Sequence, residues 1–146
     1  MTANLASEVC RIVDRLLAVR GDYTPQGVAE ACSVELREVT GPGEVVPEFG
    51  GSFGAGPFST VSFRGPAGPG ERSSSLIVLD IDESARIART DIEAQLDLSA
   101  AVISADPRIP PGGVVCFRIR HDSRAVTFQF ALPSYTLSLV AVHERM

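Results

Sequence analysis

The chain contains no lysine and no tryptophan, and it has few histidines and cysteines. All 13 of its basic residues are arginine. The absence of lysine excludes chemistry that needs an ε-amine in this chain, such as Schiff-base formation or the phosphate contact of a P-loop. The two histidines, His121 and His143, and three widely separated cysteines show no spacing typical of a zinc site. We therefore expect neither a bound metal ion nor a cofactor.

Positive charge and long apolar runs are also scarce. The 13 basic residues face 18 acidic ones, a net charge of −5, which argues against binding to nucleic acid or to an anionic membrane. No apolar run exceeds four residues, whereas a membrane-spanning helix needs about 20. We see no signal-peptide pattern at the N-terminus, and the odd number of cysteines suits a reducing compartment. We expect a soluble cytoplasmic protein.

Two amphipathic segments open the chain. Between residues 4 and 19, apolar side chains recur at helical spacing, and Gly21 ends the pattern. Thr24 is a suitable capping residue and Pro25 a favoured first helical residue, so a second helix is expected as far as Cys32. Length and pattern together predict a single domain over residues 1–146.

The segment 41–70 has a different character. It contains nine glycines and five prolines, together with four of the seven phenylalanines. We interpret it as long surface loops around one strand at 58–64, although the same composition is compatible with disorder. Further elements are expected nearby, namely a strand at 34–39, a central strand at 75–81 buried on both faces, a helix at 90–96 and a strand at 100–104.

The C-terminal part of the sequence predicts a three-stranded antiparallel meander. Its strands are expected at 114–120, 126–131 and 136–143, with a first turn at 121–124. In the first two strands, apolar residues alternate with polar ones, so one sheet face is apolar and the other carries arginine, threonine and glutamine. The expected fold is α+β, with two layers in which N-terminal helices pack on a mostly antiparallel sheet.

The polar face of this meander is the candidate partner-binding surface. Because Arg118 and Arg120 alternate with apolar residues, they fall on the same face as Thr127 and Gln129 of the next strand. Arginine is enriched at protein interfaces, and an aromatic residue of a glycine-rich loop can anchor a partner. We therefore add Phe53, from the loop at 49–58, to the candidate residues.

An alternative hypothesis depends on an acidic pair at the end of the apolar strand. The run Leu79-Asp80-Ile81-Asp82 resembles the first motif of haloacid-dehalogenase-type phosphatases, in which two aspartates hold a magnesium ion. The resemblance implies a small metal-dependent hydrolase or ligand-binding protein using Asp80 and Asp82. The chain departs from the family pattern at Ser84, where threonine or valine is usual, and in having no downstream lysine.

The sequence thus favours a binding protein over an enzyme. Small acidic bacterial proteins without catalytic clusters are often immunity proteins, inhibitors or secretion chaperones. An arginine-only composition rich in alanine, glycine, proline and valine is typical of GC-rich coding sequences and favours a bacterial source. The expected partner is another protein, or a second copy of the chain, and not a nucleic acid or a membrane.

Overall fold

The computed structural model describes residues 2–43, 46–65, 74–109 and 112–144. These residues form three helices and eight strands. In chain order, the elements are α1 (Thr2–Leu17), α2 (Pro25–Cys32), β1 (Arg37–Glu38), β2 (Glu48–Ser52), β3 (Phe58–Arg64), β4 (Ser75–Ile81), α3 (Arg89–Glu93), β5 (Val102–Asp106), β6 (Val114–His121), β7 (Arg124–Ala131) and β8 (Thr136–Glu144).

All eight strands belong to one antiparallel sheet. Their spatial order is β1-β2-β3-β4-β8-β7-β6-β5, so the C-terminal strand lies at the centre, between β4 and β7. The α+β class is confirmed, although the protein is mostly sheet with few helices. Strands β6, β7 and β8 pair with each other in sequence order, as the alternating pattern of the C-terminal residues indicates.

The helices begin and end where local chemistry favours it. The Thr24 side chain accepts a hydrogen bond from the Gly27 amide at 3.1 Å and caps α2, which begins with Pro25. Ser33, in the left-handed conformation, ends the same helix.

No helix in the described part of the chain is long and apolar enough to cross a membrane.

One cluster of buried side chains forms the hydrophobic core. It includes the apolar stripe of α1, which comprises Ala6, Val9, Ile12, Val13 and Leu16. The same cluster contains alternate residues of the sheet, among them Phe63, Ile77, Leu79, Phe117, Phe128, Phe130 and Val142. Strands of this sheet therefore present one apolar side to the core, as the period of two requires.

The described residues of the segment 41–70 form two strands, whereas the sequence predicts one. Besides β3, strand β2 pairs with both β1 and β3. The sequence does not predict this strand, because it contains Gly50 and Gly51 and glycine is unfavourable in strand interiors. A Cβ atom on Gly51 would lie 2.5 Å from the Glu35 carbonyl oxygen, so the close approach of two backbones requires glycine there. Residues 44–45 and 66–70 lie outside the described residues.

Other expectations need correction. Strand β4 is not buried on both faces, since buried and more exposed residues alternate along it and Leu76 is exposed. The strand expected at 34–39 is only Arg37–Glu38. The short helix and strand expected at 90–96 and 100–104 lie at 89–93 and 102–106. These short elements have weak periodicity, so their ends depend on tertiary contacts.

Arg124 belongs to β7 and not to the preceding turn, and it is buried. Its Nε donates to the Glu144 carboxylate at 2.7 Å, and this carboxylate is buried as well. Its Nη atoms donate to the carbonyl oxygens of Val19 at 2.7 Å and Gly21 at 2.6 Å, just beyond the C-terminus of α1. The buried guanidinium therefore ties β7 and β8 to the end of the first helix.

Tyr23 lies directly against this ion pair. The Arg124 Cζ atom lies 4.1 Å from the centroid of the Tyr23 ring, a cation–π geometry. The Tyr23 hydroxyl donates to the Leu16 carbonyl oxygen at 2.7 Å. Burial raises the pKa of Tyr23 to about 12, and the nearby positive charge of Arg124 partly opposes that rise. The phenol therefore stays neutral and keeps its hydrogen bond to the Leu16 carbonyl oxygen of α1.

Candidate protein-binding surface

The sheet has a second side, opposite the apolar side that joins the core. We call it the open face and define it by alternate residues of its central and C-terminal strands, which are Leu76, Arg118, Arg120, Thr127, Gln129, Ala141 and His143. Arg118 lies opposite Thr127 in the pairing of β6 with β7, and Thr127 lies opposite Ala141 of β8. The structure thus brings the four strand residues of the candidate surface onto one face.

A shallow groove of about 380 Å³ crosses this face. Its lining runs from β6 to β3 and comprises Val46, Arg64, Ser74, Ser75, Leu76, Arg118, Thr127, Ala141 and His143. The exposed Leu76 and the half-buried Ala141 provide an apolar surface, and arginines stand at both ends of the groove. A mostly apolar concavity with a few charged groups is the general character of a binding site.

The arginines differ in how they are held. Arg64 forms an ion pair with Glu48, from Nη2 to Oε1 at 2.7 Å. Arg118 is half-buried and Arg120 is exposed, and neither guanidinium has a hydrogen bond or an ion pair within the described part of the chain. Because the Arg118 guanidinium has no partner among the described residues, it can form hydrogen bonds with an anionic group of a partner.

Gln129 is less available than the arginines. Its side-chain amide donates to the Ser138 hydroxyl at 3.1 Å, and its Oε1 accepts a weak hydrogen bond from the Cys116 thiol at 3.9 Å. These neighbours lie on the same face, on β8 and β6. Gln129 therefore stiffens the open face rather than presenting a free amide to a partner.

Phe53 lies on the core side of the sheet and not on the open face. It packs against the hydrophobic core, and its ring centroid lies 5.4 Å from that of Phe58. It also lines a small cavity of about 240 Å³ that residues of α1 and α2 share. The structure therefore does not bring Phe53 together with the four strand residues in one surface.

The acidic pair of the alternative hypothesis is held by separate local partners. The Thr60 hydroxyl donates to the Asp80 carboxylate at 2.9 Å. The amide and the hydroxyl of Ser84 donate to Asp82 Oδ1 at 2.9 and 2.6 Å, and these bonds lower the pKa of Asp82. A lowered pKa is the wrong direction for a general acid. Among the described residues, no group of three or more potential metal ligands occurs.

The groove contains residues that the sequence analysis left out, namely Leu76, Ala141 and His143. In the structure, Ala141 and His143 lie between the buried Val140, Val142 and Glu144. The sequence gives little sign of this alternation, because Ala141 and Leu76 each belong to a run of four apolar residues that looks buried throughout.

No known family, curated protein sequence or solved structure matches the chain.

Proposed function

We propose that this chain is a non-enzymatic cytoplasmic module that binds an acidic segment of another protein on its open face. In this proposal, the protein acts in the manner of an immunity protein, an inhibitor or a secretion chaperone. The observation that carries the proposal is the half-buried Arg118 in an apolar groove, whose guanidinium has no hydrogen-bond or ion-pair partner among the described residues. The proposal includes the two-layer arrangement, with the N-terminal helices packed on the other side of the sheet.

The chemistry of the groove favours a carboxylate. A guanidinium binds a carboxylate through two parallel hydrogen bonds, which are stronger and more specific than bonds to a neutral acceptor. Arg118 and Arg120 lie two residues apart on β6, on the same face, so carboxylates in an extended segment match their spacing. Apolar side chains of the same segment would cover Leu76 and Ala141.

Charge makes this recognition selective. The whole chain has a net charge of −5, so an acidic partner is repelled at most orientations. Within β6, β7 and β8 the open face has Arg118 and Arg120 and no acidic residue, whereas Asp80 of β4 and Asp106 of β5 lie farther out on the same side of the sheet. Local attraction within a generally negative molecule restricts the partner to one docking orientation.

The test measures binding of a fluorescein-labelled peptide of alternating valine and glutamate by fluorescence anisotropy, with a valine–lysine peptide for comparison. We expect saturable binding of the acidic peptide only, weakened by added salt. The Arg118→Glu/Arg120→Glu variant should lose at least about tenfold in affinity, which corresponds to about 1.4 kcal/mol.

The matched control is Arg20→Glu/Arg86→Glu, which changes the net charge equally at two exposed arginines away from the open face. We expect this variant to bind the acidic peptide nearly as the unmodified protein does. Equal losses in both variants would show that only the net charge matters, and would contradict a defined site. Equal binding of both peptides by the unmodified protein would also contradict it.

A further inference from the structure

The two edges of the sheet differ in their chemistry. At one edge, β1 has only two residues, Arg37 and Glu38, and both are charged and exposed. At the other edge, all but the last residue of β5 are exposed, and Val102 and Ile103 are 70% and 61% exposed. Short, charged edge strands resist pairing with other chains, whereas longer apolar ones favour it. Only the β1 edge has this protection.

Strand β5 pairs on one side only within the described residues. Val102 lies opposite Arg118, and Asp106 lies opposite Val114, so β6 occupies one side of the strand. The backbone groups on its other side are open to a further strand. Because Val102 and Ile103 point to opposite faces, an added strand would cover apolar surface on both sides of the sheet.

We propose that β5 is a self-association site, at which two copies of this chain pair their edge strands in the antiparallel direction. Antiparallel pairing of identical strands is two-fold symmetric and therefore closes as a dimer. With Ser104 at the centre, Ile103 of one copy lies opposite the small Ala105 of the other. The result is one continuous sheet across the two copies.

The charges of β5 favour a second copy over the acidic segment proposed for the open face. Asp106 is the only charged residue of the strand, and Arg108 holds it in an ion pair at 3.1 Å. In the antiparallel pair, the two Asp106 residues lie four positions apart along the strand direction, or about 14 Å at ~3.4 Å per residue. This exceeds the screening length of about 8 Å at physiological salt, whereas an acidic segment would meet Asp106 directly.

The test is sedimentation velocity of the full chain over a range of concentrations. A contact limited to one edge strand is smaller than the ~1,200 Å² typical of a stable complex, so we expect a weak dimer, with dissociation in the micromolar range or above. The Val102→Lys/Ile103→Lys variant should remain monomeric over the same range. The control is Val39→Lys, since Val39 is 55% exposed beside the β1 edge, and it should dimerise like the unmodified protein.

Three results would overturn the proposal. The first is an unmodified protein that stays monomeric throughout, and the second is a double-lysine variant that dimerises equally well. The third is binding of the valine–glutamate peptide that depends on Ile103, which lies on the opposite side of the sheet from Arg118; this result would assign the edge to an acidic partner. Circular dichroism of each variant confirms that the fold is retained. Since the open-face proposal is tested with a different variant pair, either proposal can fail without the other.

Discussion

Replacement of Arg124 by methionine tests the central packing claim of this structure. Methionine retains much of the length and apolar character of the arginine side chain but donates no hydrogen bond. The change leaves the Glu144 carboxylate buried without its cation. It also removes the donors at the carbonyl oxygens of Val19 and Gly21.

The size of the effect follows from these contacts. Three of the bonds that Arg124 donates are 2.7 Å or shorter, and one of them neutralises a carboxylate. Removing one partner of a buried ion pair costs about 3–5 kcal/mol. The carbonyl groups beyond α1 are only partly buried and regain water, so we expect about 4 kcal/mol. For a chain of this size, each kcal/mol lowers Tm by about 2–4 °C.

Urea unfolding followed by circular dichroism measures the free energy of unfolding. The control is Arg120→Met, on the neighbouring strand but exposed, which should change stability by less than about 0.5 kcal/mol. In the Arg124→Met background, Glu144→Leu should lower the free energy of unfolding less than it does in the unmodified protein. The reason is that the Glu144 carboxylate has already lost its cation in that background, so its removal eliminates an unpaired buried charge. A loss below about 1 kcal/mol for Arg124→Met would show that the buried ion pair with Glu144 does not stabilise the fold.

Two further predictions concern Tyr23, which follows the first helix, and Gly51 in β2. Burial raises the pKa of Tyr23 to about 12, against about 10 in an unfolded chain. The neutral phenol is therefore favoured by folding, and its contribution to stability is complete below pH ~10 and lost as the pH rises towards about 12. An absorbance titration should show a late phenol step that Tyr23→Phe removes; its persistence would contradict the assignment. Gly51→Ala should lower the free energy of unfolding by about 1–3 kcal/mol, because its Cβ would meet the Glu35 carbonyl oxygen at 2.5 Å. Gly50→Ala, whose Cβ meets nothing closer than 3.8 Å, is the thermal-unfolding control, and equal losses would argue against the close approach.

Much of the C-terminal half could be predicted from local pattern. Alternation in β6 and β7 places Arg118 and Thr127 on one face whatever the rest of the chain does, because the period of a strand is two. The same alternation places Arg124 on the apolar face, in phase with Val126 and Phe128. Because Arg124 also lies beside the turn residues, the sequence favours a solvated arginine there, as is usual for a charged residue at a strand end.

Other features depend on contacts between distant parts of the chain. Strand β2 exists because β1 and β3 hold it on both sides, although Gly50 and Gly51 disfavour a strand. The groove on the open face requires β8 to insert between β4 and β7, which places His143 beside Leu76. Local periodicity does not predict this strand order, because the neighbour of an antiparallel strand depends on the packing of the whole sheet.

Local sequence patterns are sufficient to predict the α+β class, the two N-terminal helices, the C-terminal meander and the shared face of Arg118 and Arg120. These follow from capping residues, helical spacing and alternation, which act over a few residues. Local patterns do not predict which strands lie at the sheet edges or that Arg124 is buried against the end of the first helix. Both depend on long-range pairing and burial, which join residues more than 100 positions apart.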